Sequence, residues 1–550
     1  MMTFSFRIFV ATMLAMTAAC AHVGEEVQGG AVIEAPAGLI RGFEENGLQA
    51  FKGIPYAAPP VGDARWKPPA AAAAWEGELD ATAFGPACMQ FRANPESIYA
   101  ENLEAMSEDC LSLNIWKPEG VKKAPVFVWI HGGALRGGAS GLSMYDGAAL
   151  AKSGLVVVSI NYRLGALGYL AHPELSAESP DGVSGNYGLL DQIAALEWVQ
   201  DNIEAFGGDP DNVTIAGESA GALSVMYLMA SPSARGLFHK AIAQSAYMIS
   251  TPALKEARYG VPSAEAIGLY VADKLGAKDI AALREMDADS VIKQSAKAGY
   301  VAWGTVDGVV LPEELTTVFD RGEQAPVPII AGFNSGEIRS LRALLPKAPK
   351  NAGEYEKAIN ESYGELAEAF LKQYPSADLE ESMLATTRDA MYGWTAERLV
   401  RQQSDIGAAG YLYIFNHGYS AANRAGLHAF HASEIPYVFG TIHNTTPNWP
   451  EIPDTLEEKR LSDAMLSYWS SFARDGAPSA PREDEWRPYE PNEAYMYFED
   501  APEGGATDLL PGMFELHEEV MCRRRAANVA WNWNVGVASP PLPPQAPGCR

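Results

Sequence analysis

An apolar stretch, Val213-Thr214-Ile215-Ala216, runs into Gly217-Glu218-Ser219-Ala220-Gly221, and Leu223, Val225, Met226 and Leu228 follow. This order reads as a short strand, a tight turn and a helix, with a serine at the apex. Such a turn constrains the fold, because strand and helix must cross closely and side chains larger than hydrogen at 217 and 221 would collide. The serine hydroxyl is held clear of the sheet. The helix beneath it offers unpaired N–H groups and the positive end of its dipole, which favour the negative charge that forms in acyl transfer. No other Gly-x-Ser-x-Gly occurs in the 550 residues. Five residues are a weak pattern alone; the flanking strand and helix give this one its meaning.

The remainder of the chain reads as a large α/β unit. Residues 126–130 (Val-Phe-Val-Trp-Ile) and 155–160 (Leu-Val-Val-Val-Ser-Ile) are apolar without alternation. Runs of this kind are strands buried on both faces, as in parallel or mixed sheets covered by helices. Further strands are predicted at 213–216, 240–244, 327–333, 411–415 and 495–498. Residues 189–206 have helical spacing and stop at Gly207-Gly208. Other helices are predicted near 353–373, 379–405, 457–475 and 512–530, while Pro59, Pro60, Pro68 and Pro69 open a long irregular loop that carries Cys88 and Cys110. With 47% hydrophobic residues and no repeat or long linker, one domain over residues 30–533 is the economical division. A Pro-rich tail (534–550) follows it.

Net charge is −28, from 41 basic and 69 acidic residues. That balance opposes binding to nucleic acid and to anionic lipid, and draws cations rather than polyanions. Residues 1–21 read as an export signal: Arg7 precedes a small, apolar run too short for a permanent membrane span. Two processing routes compete. Thr17-Ala18-Ala19-Cys20 resembles a lipobox, which would make Cys20 a lipid anchor, the one membrane contact expected; Ala19-Cys20-Ala21 suits ordinary signal peptidase. Either route removes Cys20 from the thiol pool and leaves Cys88, Cys110, Cys522 and Cys549, an even number for an oxidising compartment. Cys88 with Cys110 and Cys522 with Cys549 are the sequence-local pairings. Their spacing does not suit zinc, and no metal or cofactor is expected.

A serine needs a base and an orienting acid, which in a fold of this type follow in the order serine, acid, histidine. Of the histidines after Ser219, His428 and His431 lie in one loop that enters a short apolar turn, and spacing does not choose between them. For the acid, Glu337 lies just beyond a predicted strand, where open α/β sheets gather their sites. Asp307 is its rival, although Asp307-Gly308 reads more simply as a turn.

Several segments together resemble type-B carboxylesterases, the carboxylesterase and cholinesterase family of the α/β-hydrolase fold. They are Phe51-Lys52-Gly53-Ile54-Pro55-Tyr56-Ala57, Ser107-Glu108-Asp109-Cys110-Leu111-Ser112-Leu113-Asn114, Trp129-Ile130-His131-Gly132-Gly133, Asn161-Tyr162-Arg163, Asn186-Tyr187-Gly188-Leu189-Leu190-Asp191-Gln192, the Ser219 turn and the His431 loop. The resemblance implies a large, mostly parallel sheet under helices, with long loops forming a gorge. It selects His431 as base and, through Asn334-x-x-Glu337, Glu337 as acid. It implies an oxyanion hole of N–H groups from Gly133, Ala134 and Ala220, with alanine at 134 where many relatives have glycine. It also implies buried ion pairs Arg65–Glu108 and Arg163–Asp191. His131 reads as a packed loop histidine, and Glu218 either tunes His431 or serves as a plain supporting carboxylate.

The function expected is hydrolysis of a small-molecule carboxylic ester through an acyl-serine, with short or medium acyl or aryl groups. Cholinesterases carry a tryptophan in the first disulfide loop to hold a quaternary ammonium; this chain has Phe91 and Tyr99 there, which disfavours choline esters. Leu135, Phe333 and the Met391–Trp394 stretch are candidates for an apolar pocket, with core packing as the competing role. The alternatives are a catalytically silent binding or adhesion protein, which the presence of all three catalytic residue types opposes, and an amidase or thioesterase using the same apparatus. Export implies a periplasmic, outer-membrane lipoprotein or secreted location.

Overall fold

The computed structural model describes residues 30–549 except 46, 93, 102, 104 and 532–534. The expected export signal and Cys20 lie outside the described residues. A central sheet of eleven strands organises the chain. In chain order these are β1 (Phe43–Glu45), β2 (Leu48–Pro55), β3 (Ser112–Pro118), β4 (Ala124–Ile130), β5 (Val156–Ile160), β6 (Gly208–Glu218), β7 (Lys240–Gln244), β8 (Ile329–Asn334), β9 (Gly410–Phe415), β10 (Ala494–Phe498) and β11 (Pro502–Thr507). Their spatial order is β11-β10-β9-β8-β7-β6-β4-β5-β3-β2-β1. From β5 to β10 neighbours run parallel; β11 at one edge, and β3, β2 and β1 at the other, run antiparallel.

The unbroken apolar runs do what their composition requires. Every residue of β4 and β5 is buried. Val126, Val128 and Ile130 enter one core layer, with residues of α1 (Tyr187–Asn202) and α2 (Ala220–Ala230). Phe127 and Trp129 point into the other. In sequence between α2 and the last helices come α3 (Ala352–Tyr363), α4 (Leu379–Arg388) and α5 (Trp394–Asp405). α6 (Leu456–Asp475) covers the second face through Leu461, Met465, Trp469 and Phe472, and α7 (Met513–Ala526) packs on the first through Met513 and Met521.

The structure departs from the sequence reading in several elements. β3 was not expected, since its residues follow the irregular loop directly. Three helices, Ala264–Leu275, Ile280–Glu285 and Ala288–Lys297, were missed although their caps are legible: the Ser263 hydroxyl accepts the Ala266 N–H, and Gly276 closes the first helix in the left-handed region. The helix expected near 379–405 is interrupted by a π-helical turn at Asp389–Gly393. The helix over 189–206 is α1 followed by a 3-10 turn, ended by Gly207 at φ 81°. The Pro-rich segment lies against the body: the Ser362 hydroxyl donates to the Ser539 carbonyl, Gly536 N–H donates to the Tyr363 hydroxyl, and the Cys522–Cys549 bridge ties it to α7. Cys88 and Cys110 are bridged as well.

Candidate active site

β4 pairs with β5 on one side and with β6 on the other, so strand order reverses between β4 and β6. The chains leaving the carboxyl ends of two such strands part and leave a crevice. Ser219 stands after β6 at that crevice, and the loop beginning His131-Gly132-Gly133 stands after β4.

Ser219 is the N-cap of α2, at φ 56° and ψ −119°, and its N–H donates to the Gln244 carbonyl at the end of β7 (2.9 Å). The flanking glycines are required by contact: a Cβ on Gly217 would lie 2.4 Å from the Gly221 carbonyl carbon, and one on Gly221 only 2.1 Å from the Ile130 oxygen. The β4 loop rests on this turn, since a Cβ on Gly132 would meet Glu218 O at 2.7 Å and Ser219 Cβ at 3.3 Å. Gly133, Ala134 and Leu135 follow at φ 107°, 56° and 55°. Among the described residues the N–H groups of Gly133, Ala134 and Ala220 make no hydrogen bond. His131 is buried and stacked on Tyr162 (4.5 Å between centroids), whose hydroxyl donates to the His131 carbonyl. Burial lowers its pKa to about 4, so the ring is a neutral packing element of the loop.

Glu337 follows β8 and is fully buried. Its Oε1 accepts the Asn334 N–H (2.8 Å) and the Ser245 hydroxyl (2.6 Å), while its Oε2 is hydrogen-bonded to His431 Nδ1. The glutamate and histidine loops approach through Gly336, whose N–H donates to Ala429 O (2.8 Å); a Cβ there would sit 2.8 Å from the same oxygen. His428, left open by spacing, is exposed, whereas His431 is buried against Glu337. Asp307 is spent on its own turn, its Oδ1 accepting the N–H groups of Val309, Val310 and Leu311.

The other ring nitrogen, His431 Nε2, lies 3.0 Å from Glu218 Oε1. No hydrogen bond joins it to Ser219 Oγ among the described residues; the carboxylate beside the serine occupies that side of the ring. Burial opposes charging His431, but the carboxylates of Glu218 and Glu337 outweigh it and raise the imidazole to about 9. Burial pushes Glu218 up to about 8, with His431 working against the shift.

Other side chains at the site were not singled out for it from sequence. Ser245 ends β7 at φ 50°. Glu434, wholly buried, accepts from Asn334 Nδ2 (2.6 Å) and Gln244 Nε2 (2.9 Å), and burial raises it. The Tyr99 hydroxyl donates to the His431 carbonyl (2.9 Å) and meets Ser340 Oγ at 2.8 Å. Of the Met391–Trp394 stretch, which the sequence did offer as a pocket candidate, all residues are buried, and the Tyr392 ring, carried by the π-helical turn, lies 5.5 Å from the His431 ring. Strand ends and the three-residue spacing from His431 to Glu434 were the available signals. Of the pocket candidates, Leu135 and Phe333 are fully buried in the core. The expected ion pairs are formed: Arg65 grips Glu108 through Nε (2.6 Å) and Nη2 (2.5 Å), and Arg163 grips Asp191 through Nε (2.8 Å) and Nη2 (2.7 Å). Among the described residues no three histidine, cysteine, aspartate or glutamate side chains gather to hold a metal ion.

The profile of the Carboxylesterase family matches residues 29–509. The chain is 38% identical over 482 residues to a fumonisin B1 esterase of Sphingopyxis macrogoltabida, covering 84% of this chain and 85% of that protein. It is 37% identical over 451 residues to a para-nitrobenzyl esterase of Bacillus subtilis (80% and 89%). Among solved structures, a Geobacillus stearothermophilus carboxylesterase superposes with a TM-score of 0.74 at 35% identity, over 86% of this chain and 97% of the other.

Proposed function

The chain belongs to the carboxylesterase family and is a carboxylic ester hydrolase, and from that premise we propose that Ser219, His431 and Glu337 perform the hydrolysis. Ser219 Oγ attacks the ester carbonyl carbon while His431 accepts its proton. The same proton passes to the departing alkoxide and leaves an acyl-serine. Water, deprotonated by His431, then attacks the acyl carbon and releases the acid. Glu337 holds Nδ1 and stabilises the imidazolium. Gly133, Ala134 and Ala220 donate to the oxyanion, and loss of one such donor costs on the order of 2.7–4 kcal/mol of transition-state stabilisation.

The observation that carries this reading is the buried Glu337–His431 contact set beside the strained serine turn. His431 Nε2, 3.0 Å from Glu218, is the ring nitrogen left for Ser219 once Glu337 holds Nδ1, and catalytic contacts tighten when a Michaelis complex forms. Ser219→Ala is expected to abolish both ester turnover and labelling by a fluorophosphonate; retained turnover overturns the assignment.

The preferred substrates in this reading are short or medium acyl or aryl esters, with the rings of Tyr99 and Tyr392 beside His431, and Tyr247 against Tyr392, offering aromatic surface near the base. We further propose that the protein is exported, with Cys20 as a lipid anchor or removed with the leader. Two disulfides, which persist in oxidising compartments, support export.

A further inference from the structure

The loop after β4 alternates in a revealing way. Leu135 is buried, whereas Gly133, Ala134 and Arg136 are exposed. The unbonded N–H groups of Gly133 and Ala134 and the exposed Arg136 side chain thus belong to one short turn of the loop. The backbone at Arg136 is well held. Its own N–H donates to the Gly133 carbonyl (3.1 Å), Gly165 N–H donates to the Leu135 carbonyl (2.7 Å), and Gln90 clamps Gly138 with two hydrogen bonds (2.7 and 2.9 Å). The guanidinium, by contrast, has no ion pair and no hydrogen bond among the described residues.

The cation also belongs to the site electrically. Burial drives the Tyr247 phenol far above its usual range, and the charge of Arg136 acts against that shift. Tyr247 packs edge-on against Tyr392 (6.0 Å), which lies against His431 (5.5 Å).

We infer that Arg136 is a specificity-determining residue, and that the favoured substrates are esters bearing a free carboxylate, such as monoesters of dicarboxylic acids. The inference rests on the serine-hydrolase reading of the site. A guanidinium presents a planar fork that matches a carboxylate with two N–H donors. Set two residues beyond Ala134, it would hold the substrate's distal carboxylate while the ester carbonyl enters the ring of N–H donors. The acidic surface elsewhere leaves such a substrate few competing cations.

The test compares kcat/KM, per ester bond, for monoethyl and diethyl esters of succinate, glutarate and adipate, using the wild-type protein and Arg136→Gln and Arg136→Lys. The wild type should prefer the monoester at one chain length by about tenfold, the scale of a partly exposed charge-assisted hydrogen bond. Arg136→Gln should erase that ratio and Arg136→Lys retain part of it. Because a ratio is read within one preparation, a poorly folding variant does not mimic the result. Added salt should shrink the wild-type preference. Diesters cleaved with no monoester preference, or a preference untouched by Arg136→Gln, would overturn the inference and leave the triad standing. A folded wild-type protein that cleaves neither ester takes both down.

Discussion

At φ 56° and ψ −119°, Ser219 occupies a conformation that costs an L-residue on the order of 1–3 kcal/mol. It persists because its neighbours leave no alternative: its N–H is tied to β7, and Gly217 and Gly221 are in contact with backbone on both sides. Beside it, Glu218 Oε1 lies 3.0 Å from His431 Nε2. The neighbouring carboxylates raise the imidazole above its ordinary range, and because Glu218 and His431 titrate as a coupled pair, the neutral base is gained as pH rises. The kcat/KM of the free enzyme should therefore climb through neutrality into the alkaline range. Glu218→Gln removes one carboxylate that raises the imidazole, so the ascending limb should move to lower pH. A limb that stays in place, with turnover retained, would show that Glu218 does not tune the base.

Among the elements, the bridged loop between Cys88 and Cys110 has a role beyond closing the chain. It carries Tyr99 to the His431 carbonyl, and the loop beyond the histidine grips it in return: Asn448 Nδ2 donates to the carbonyls of Pro95 (2.6 Å) and Ser97 (3.1 Å). The disulfide loop is thus a brace for the base. Tyr99→Phe should lower kcat by roughly three- to tenfold, the worth of one hydrogen bond, with KM little changed. A raised KM at unchanged kcat would instead make Tyr99 a substrate contact. The π-helical turn also meets the histidine: it carries Tyr392, whose ring lies 5.5 Å from that of His431, and such bulges recur at functional sites.

Over the whole molecule, stability rests on a doubly covered sheet and on two chain closures. The bridge from Cys522 to Cys549 closes a 27-residue separation and holds the end of the chain on α7 and α3. Cys522→Ser should cost about 2–4 kcal/mol, mostly by freeing the unfolded chain, and should lower Tm; an unchanged Tm would mean that the terminal segment adds nothing to the cooperative unit. Much of this architecture was legible beforehand, because short apolar runs rich in Val and Ile read as buried strands and a strand–Gly-x-Ser-x-Gly–helix passage forces a close crossing. The helices between 264 and 297 are short and pack in a small separate cluster, away from the apolar runs and motifs on which the sequence reading rests. Local pattern therefore located the serine turn and the parallel strands, and it offered the two sequence-local cysteine pairings that the structure contains. Spacing left His428 and His431 open and only the family resemblance preferred His431, which is the one in contact with Glu337; tertiary structure alone decided that Glu218 faces the same ring and that Tyr99 and Ser245 reach the pair. Those contacts join segments far apart in sequence, and their distances are set by sheet order and loop closure rather than by any spacing along the chain.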